Sequence, residues 1–299
     1  MLGKLIWHIS DGQLLFHKRH SPREFFMRRL LSSGLTTALV LAAGLAQAAP
    51  CITDKGSFGA YKQALGAEAQ RAGIGQRGLA ALNAAGLSDI TWRFESRPSS
   101  QTGVSYGDPA EFLAKRTQAS AQTFINLAQQ RLDRNRNLFN AIEQRFGVPG
   151  SVLVTIWGLE TSWGGYLGGT PVVSGAVTLA SYCRRHPRFE THALSALALV
   201  DRGVISASTK GGPSGELGHM QFLSGNWARY AVDGNGDGRA DPYQAADALA
   251  TAANMLRSNG WTPGQPFGQG TRNFNVLSVW NDSGNYQRAI AYAAERMGG

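Results

Sequence analysis

Residues 152–165 read VLVTIWGLETSWGG, an apolar helical run carrying a single carboxylate, Glu160, and ending in Gly164 and Gly165. At about 100° per residue, Ser151, Thr155, Gly158 and Ser162 fall on one stripe, with Leu153, Ile156 and Trp157 on the other side. Glu160 lies roughly opposite the polar stripe, among the apolar residues. A carboxylate that served only solubility would stand with the serines and the threonine. Glu160 is therefore either buried and paired, for instance with an arginine, or functional. The paired glycines place it in the last helical turn. There the negative pole of the helix and the apolar surroundings both disfavour its ionised form. A carboxyl held protonated near neutral pH is what a general acid requires.

The chain has 299 residues, of which about the first fifty read as a leader rather than as part of a fold. Met27, Arg28 and Arg29 precede an apolar run from Leu35 to Leu45, and Ala46, Gln47, Ala48 and Ala49 follow. This is a basic n-region, a short h-region and an A-x-A cleavage site, so a secretory signal is expected, with residues 1–26 an upstream extension. The run is short for a membrane span. The residues before Cys51 do not resemble a bacterial lipoprotein box, so the expectation is an exported protein with no stable membrane anchor.

Outside the leader 23 basic and 18 acidic residues remain, a net charge of about +5. The positive charges are scattered and no nucleic-acid reader motif is present, which favours an anionic envelope polymer over nucleic acid as the partner. Some 250 residues can bury a substantial core without staples. Cys51 and Cys183 are the only cysteines. In an oxidising compartment they are expected to pair; two buried free thiols are the alternative.

The exported part reads as mostly helical. Phe58–Arg71 and Gln76–Ala85 have helical spacing, punctuated by glycines. Residues 88–107 mix β-formers and polar breakers and read as an extended loop, with room for a short strand. Asp108, Pro109 and Glu111 suit N-cap, N1 and N3 of helical sequence reaching almost to Phe146, a length that demands a break near Thr117–Ala119. Ser151 stands where an N-cap for the Glu160 helix is expected. Residues 188–203 form another helix, and Lys210–Gly215 a glycine-rich loop leading into GELGHMQF, residues 215–222. In that motif Gln221 can donate and accept hydrogen bonds, and small residues let a ligand approach the backbone.

In DGNGDGRADPYQAAD, residues 233–247, Asp233, Asn235 and Asp237 alternate and Gly238 sits where an EF-hand loop turns. Their oxygens, with the Arg239 carbonyl, can converge on a hard cation, although the twelfth position is Gln244 and the next carboxylate is Asp247. A solvated Asp-Gly turn is the competing reading. A helix over Gln244–Ser258 follows. Trp280, Asn281 and Tyr286 lie before or within a terminal helix, Asn285–Arg296, and suit either a core or a sugar groove. No zinc pattern, Walker loop, dinucleotide fingerprint or G-x-S-x-G elbow is present.

Together the Glu160 stretch, GELGHMQF, the Asp loop and the terminal WNDSGNY resemble the B-type lytic murein transglycosylases, a lysozyme-like family of envelope enzymes. The resemblance implies a mainly α fold with little β structure. It divides the chain into 1–49, extension and signal; 50–145, an N-terminal helical region; and 146–299, a lysozyme-like catalytic core with an EF-hand-like loop. It makes Glu160 the catalytic acid/base. Gln221, Gly218, Asn281 and Tyr286 become groove residues, with Trp280 where a tyrosine is common and Ser214 a loose match to a family serine. It supplies a structural Ca²⁺ on Asp233, Asn235, Asp237, Arg239 and Asp247, and no organic cofactor. Met255 departs from a tyrosine found in some members.

The implied reaction cleaves the β-1,4 bond between N-acetylmuramic acid and N-acetylglucosamine in peptidoglycan glycan strands. A two-carboxylate glycosidase needs a second acid about 5 to 9 Å away, and none stands out; the positions of Glu190 and Glu216 cannot be judged from the sequence. A single acid/base fits intramolecular attack of the muramic 6-hydroxyl, leaving a 1,6-anhydro end. A hydrolytic muramidase and a non-catalytic, calcium-stabilised peptidoglycan-binding protein are the alternatives. The expected setting is periplasmic, as a monomer, alongside other cell-wall enzymes.

Overall fold

The structure, a computed structural model, describes residues 49–97 and 107–297. The leader expected before Ala49 and part of the expected 88–107 loop lie outside the described residues. The elements run α1 (Phe58–Arg71), α2 (Gln76–Ala84), α3 (Asp89–Glu95), α4 (Pro109–Thr117), α5 (Ala121–Arg134), α6 (Arg136–Phe146) and α7 (Gly150–Thr161). After β1 (Thr170–Pro171) come α8 (Val172–Ser181), α9 (Glu190–Asp201), β2 (Lys210–Gly211), α10 (Ser224–Tyr230), α11 (Ala245–Ser258), α12 (Arg272–Val276) and α13 (Gly284–Glu295). β1 and β2 form a two-residue antiparallel ladder, so the fold is mainly α with little β, as expected. Among the described residues no helix is long and apolar enough to cross a membrane.

Helix α7 is the axis of the molecule. Every residue from Gly150 to Thr161 is buried, and α5, α6, α11 and α13 pack around it. The expected polar stripe therefore does not face water. Thr155 Oγ1 donates to the Ser151 carbonyl at 2.8 Å, and glycines make room for neighbours where a side chain would not fit. A Cβ on Gly150 would stand 2.8 Å from Leu132, and one on Gly158 2.7 Å from Trp163. Ser151 is not the N-cap, because the helix begins one residue earlier, after Pro149. Pro149 has no N–H to satisfy and its fixed φ leads into the first turn.

Two other expectations are corrected. Asp89–Glu95 is helical rather than extended, because Ser88 caps it, its Oγ accepting from the Thr91 amide at 3.3 Å. The helical sequence from Pro109 to Phe146 breaks at Gln118, in the left-handed region at φ 57°, as expected, but also a second time at Asn135. Asn135 Nδ2 donates to the Arg131 carbonyl and closes α5 from within, a local side-chain bond that competes with the helix.

Helices α1–α3 pack on α8 and α9, while α4 packs on α5 and α13. One continuous apolar core links all of these. Cys51 and Cys183 form a disulfide, Cα–Cα 4.8 Å. It is reinforced by the Ile52 amide donating to Ser181 O at 2.8 Å.

Candidate active site

The C-terminal turn of α7 carries Glu160 into the centre of the molecule, where it is 4% exposed. The turn ends because Ser162, Trp163 and Gly164 all take positive φ. Trp163 thereby folds back onto its own helix, its indole N–H donating to the Val154 carbonyl at 3.0 Å. Glu160 Oε1 accepts two hydrogen bonds from the C-terminal part of the chain, from the Tyr286 hydroxyl at 2.6 Å and the Trp280 indole at 2.9 Å. Oε2 is buried without a protein partner among the described residues.

Burial pushes the Glu160 carboxyl above its ordinary range, while the Arg116 guanidinium and the hydrogen bonds from Tyr286 and Trp280 pull the other way. Arg116 comes from α4, donates to the Leu159 carbonyl at 3.2 Å and lies 5.9 Å from the centre of the Tyr286 ring. The protonated form is favoured by the dry surroundings. The ionised form is kept within reach by one cation and two donors. That balance suits a group that gives a proton and then takes one back.

The loop 215–222 docks on the same end of α7. Thr161 Oγ1 donates to the His219 carbonyl at 2.8 Å, and the Trp157 indole donates to His219 Nδ1 at 3.3 Å. The loop is closed by Leu217 and Phe222, which exchange backbone hydrogen bonds of 2.8 and 3.0 Å. Within it Gln221 holds φ 49°, rare for a residue with a side chain and a mark of backbone strain. Its amide nitrogen donates to the carbonyls of Gly218 at 2.7 Å and Leu167 at 3.2 Å. The next residue, Phe222, packs edge-on against Trp280, ring centres 5.3 Å apart. The loop and the two Glu160 donors thus share one wall.

Gly218, at φ 62°, lies against Pro242, whose carbonyl accepts from the His219 amide at 3.0 Å. This joins the Gln221 loop to the end of the Asp loop. Asn281 shapes the turn that leads into α13, its Oδ1 accepting from the Ser283 amide at 3.0 Å. Ser214 is buried and donates its amide to Glu216 Oε2 at 2.8 Å. Met255 is a core residue of α11.

In the Asp loop Asp233 accepts from the amides of Gly236 at 2.6 Å and Gly238 at 2.8 Å. The Gly238 amide above all holds its carboxyl below the ordinary range. Gly236 and Gly238 take φ 78° and 88°, which only glycine adopts cheaply. Asp247 is buried, and its two oxygens accept from Gly234, Asn235 and Asp241. Among the described residues no group of three or more His, Cys, Asp or Glu side chains is clustered as a metal site.

Three residues of this region escaped the sequence reading. Arg116 sits 44 positions before Glu160 and carries no local signal. His219 lies inside GELGHMQF without a pattern of its own. Glu216 was noted but could not be located; it is buried within the Gln221 loop, whereas Glu190 accepts from His186 at 3.2 Å elsewhere in the fold.

The mainly α architecture, with Glu160 buried at a helix end and accepting two hydrogen bonds, is of the lysozyme-like lytic transglycosylase fold. The model of the transglycosylase SLT domain matches residues 57–271, and the chain belongs to that family. Membrane-bound lytic murein transglycosylase B of Escherichia coli is 33% identical over 127 residues, covering 42% of this chain and 35% of that protein. The matched segment thus spans about a third of that relative's length. SltB3 of Pseudomonas aeruginosa, solved in complex with NAG-anhNAM-pentapeptide, is similar in fold with TM-score 0.69 and 22% identity, covering 81% of this chain and 80% of the other. Slt35 of Escherichia coli, solved in complex with calcium, gives TM-score 0.66 and 21% identity, covering 79% and 92%.

Proposed function

We propose that this chain is a peptidoglycan lytic transglycosylase that cleaves the β-1,4 MurNAc–GlcNAc bond without water, with Glu160 as acid and then base. The observation that carries the reading is the asymmetry of the Glu160 carboxyl. Oε1 is held by Tyr286 and Trp280, while Oε2 has no protein partner and can carry the proton. Protonated Glu160 donates to the glycosidic oxygen as positive charge builds at C1 of the muramic ring. The resulting carboxylate, steadied by Arg116, accepts the proton of the muramic 6-hydroxyl, which closes on C1. That hydroxyl belongs to the same sugar, so its effective concentration replaces an activated water. Gln221, Gly218, Ser214, Trp280, Asn281 and Tyr286 line the groove in this reading. The sugar-bound relatives of the same fold support a glycan strand as substrate.

The Asp loop suits a hard cation by the chemistry of its donors. Asp233, Asn235, Asp237 and Asp247 would supply side-chain oxygens and Arg239 a carbonyl, Asp247 also accepting from the amides of Gly234, Asn235 and Asp241. A calcium ion there would brace the loop, and through Pro242 the Gly218–Gln221 segment, with no part in proton transfer. After chelation, added Ca²⁺ at about 100 times its dissociation constant stabilises the fold by about 2.7 kcal/mol, read as a rise in Tm. An unchanged Tm would remove the ion from this account. The protein is proposed to act in the periplasm as a monomer on glycan strands.

The deciding experiment is mass spectrometry of digested peptidoglycan. Anhydro-muramic ends are expected, and reducing ends would assign the protein to the hydrolytic muramidases. Glu160→Gln keeps size and polarity but cannot exchange protons, so its turnover is expected to fall by at least about 100-fold.

A further inference from the structure

Glu216 is a second buried carboxyl beside the glutamine loop that the proposed reaction leaves unused. It is 3% exposed, Oε2 accepts from the Ser214 amide at 2.8 Å, and Oε1 is buried without a partner among the described residues. Its immediate neighbour is Gln221. Gly212 lies beneath both, and a Cβ there would stand 2.3 Å from Glu216 Oε2 and 2.6 Å from Gln221 Oε1. Two oxygens therefore converge on the space that a side chain at position 212 would fill.

The Gln221 amide cannot be turned to relieve this. Its nitrogen already donates to two carbonyls, of Gly218 and Leu167, and a flip would set its oxygen against both. The amide oxygen therefore faces Glu216. An ionised carboxylate can only accept hydrogen bonds, and so can an amide oxygen. Two acceptor oxygens set side by side repel each other, and the pair is satisfied when a proton lies between Glu216 Oε2 and Gln221 Oε1.

We propose that Glu216 is a positioning residue of the site: it is retained as the neutral acid, and its hydroxyl donates across Gly212 to the amide oxygen of Gln221. Gln221 is then held on three sides, by two acceptors for its nitrogen and one donor for its oxygen. This explains how a non-glycine residue is kept at φ 49°. The surroundings agree. Burial pushes the Glu216 carboxyl up to about 7, with Glu160 of α7 and Glu95 of α3 adding to the rise. Glu95 is itself bridged by Arg184 and Arg185 at 2.8 and 2.7 Å, so its charge is largely answered locally. Arg116 and Tyr286 stand on Glu160, and burial lowers the proton affinity of His219, on the same loop, against smaller opposing effects of Tyr243 and Asp241.

The inference rests on the proposed role of Gln221 in binding glycan, but its first test does not. Infrared spectra at pH 6 are compared between Glu160→Gln and the double variant Glu160→Gln, Glu216→Gln, a difference in which Glu190 and every other carboxyl cancels. A carbonyl band of un-ionised carboxylic acid, present in the single variant and lost in the double, is expected; no such band in the single variant overturns the proposal whatever the enzyme's reaction. The second test is kinetic. Glu216→Ala is expected to raise KM for glycan strands several-fold with a smaller effect on kcat, and Glu216→Gln, which keeps a neutral donor of the same length, brings KM back toward the native value. An alanine variant with native KM, or a glutamine variant no better than alanine, would show that the carboxyl does not orient Gln221. If the alanine variant does not fold, the native protein and Glu216→Gln are compared from pH 6 to 8. KM then rises through about pH 7 in the native protein only, and parallel profiles count against the idea.

Discussion

At the scale of single residues, the proposed role of Glu160 rests on a carboxyl that is costly to ionise and whose ionised form a few neighbours support. Dry packing raises its proton affinity, while Tyr286, Trp280 and Arg116 lower it by smaller amounts. Removing one correction has a predictable sign. In Tyr286→Phe the ring keeps its contact with Phe112, 6.0 Å between centres, but the donor to Oε1 is gone. The ionised form loses support, so the alkaline limb of kcat/KM moves to higher pH. The base half of the cycle slows, with kcat down roughly tenfold for a hydrogen bond to a charged group. A limb that moved to lower pH would mean that Tyr286 supports the acid instead. Glu216 gives a stability prediction of the same kind. Its folded-state value of about 7 exceeds the ordinary 4.5, so the folded state holds a proton that the unfolded chain has released. Its contribution is intact below about pH 4.5 and is lost as pH rises through about 7, to a limit of about 3 kcal/mol. Denaturation of Glu216→Gln should therefore show a gain over the native protein at pH 8 that is absent at pH 4. Equal differences at both pH values would place the group at an ordinary carboxylate value.

At the scale of elements, helices are legible where periodicity is clear, as in α1 and α11, or where a cap agrees with it, as in α4. They were misread where a single side chain decided. Ser88 turns a β-rich run into α3, and Asn135 divides α5 from α6, bonds too local to alter a hydrophobic pattern. The reading of α7 found Glu160 and the glycine stop but mistook its surroundings. Ser151 and Thr155 look like a solvent face in sequence and are buried in the fold, where α5, α6, α11 and α13 surround α7, since period alone does not say which neighbours arrive. For the site, Trp280 and Tyr286 stand out in the sequence as core or groove aromatics, yet their meeting with Glu160 depends on a chain separation of 120 to 126 residues that no spacing rule covers. The glycine-rich loop is the element whose sequence is most tightly tied to the site. Gly212 does not occupy the left-handed region, so alanine there meets no backbone obstacle, only Glu216 and Gln221. Gly212→Ala should cost about 1–3 kcal/mol by overpacking and raise KM, with helical content unchanged. A native KM would mean that the loop yields without moving Gln221.

At the scale of the whole molecule, two fastenings tie distant segments of the chain together. The Asp loop steadies the Gln221 segment through Pro242. The Cys51–Cys183 disulfide works from the opposite end, tying the start of the described chain to the segment after α8 across 132 residues. Its strand-like neighbour Ile52 already bonds Ser181 and pairs with Tyr182, so the native contact persists without the covalent link. What the link chiefly removes is freedom in the unfolded chain, about 5 kcal/mol for a loop of this length in the chain-entropy account. Cys51→Ser with Cys183→Ser should therefore lower the free energy of unfolding by 2 to 5 kcal/mol in denaturant titration, roughly. The folded double variant should retain kcat and KM, because the backbone bonds of Ile52 to Ser181 and Cys183 remain. Reduction of the native protein should reproduce the same loss. A variant as stable as the native chain would show that the unfolded state is already compact between the two cysteines. A folded variant with altered KM would instead mean that the bond transmits strain into the groove.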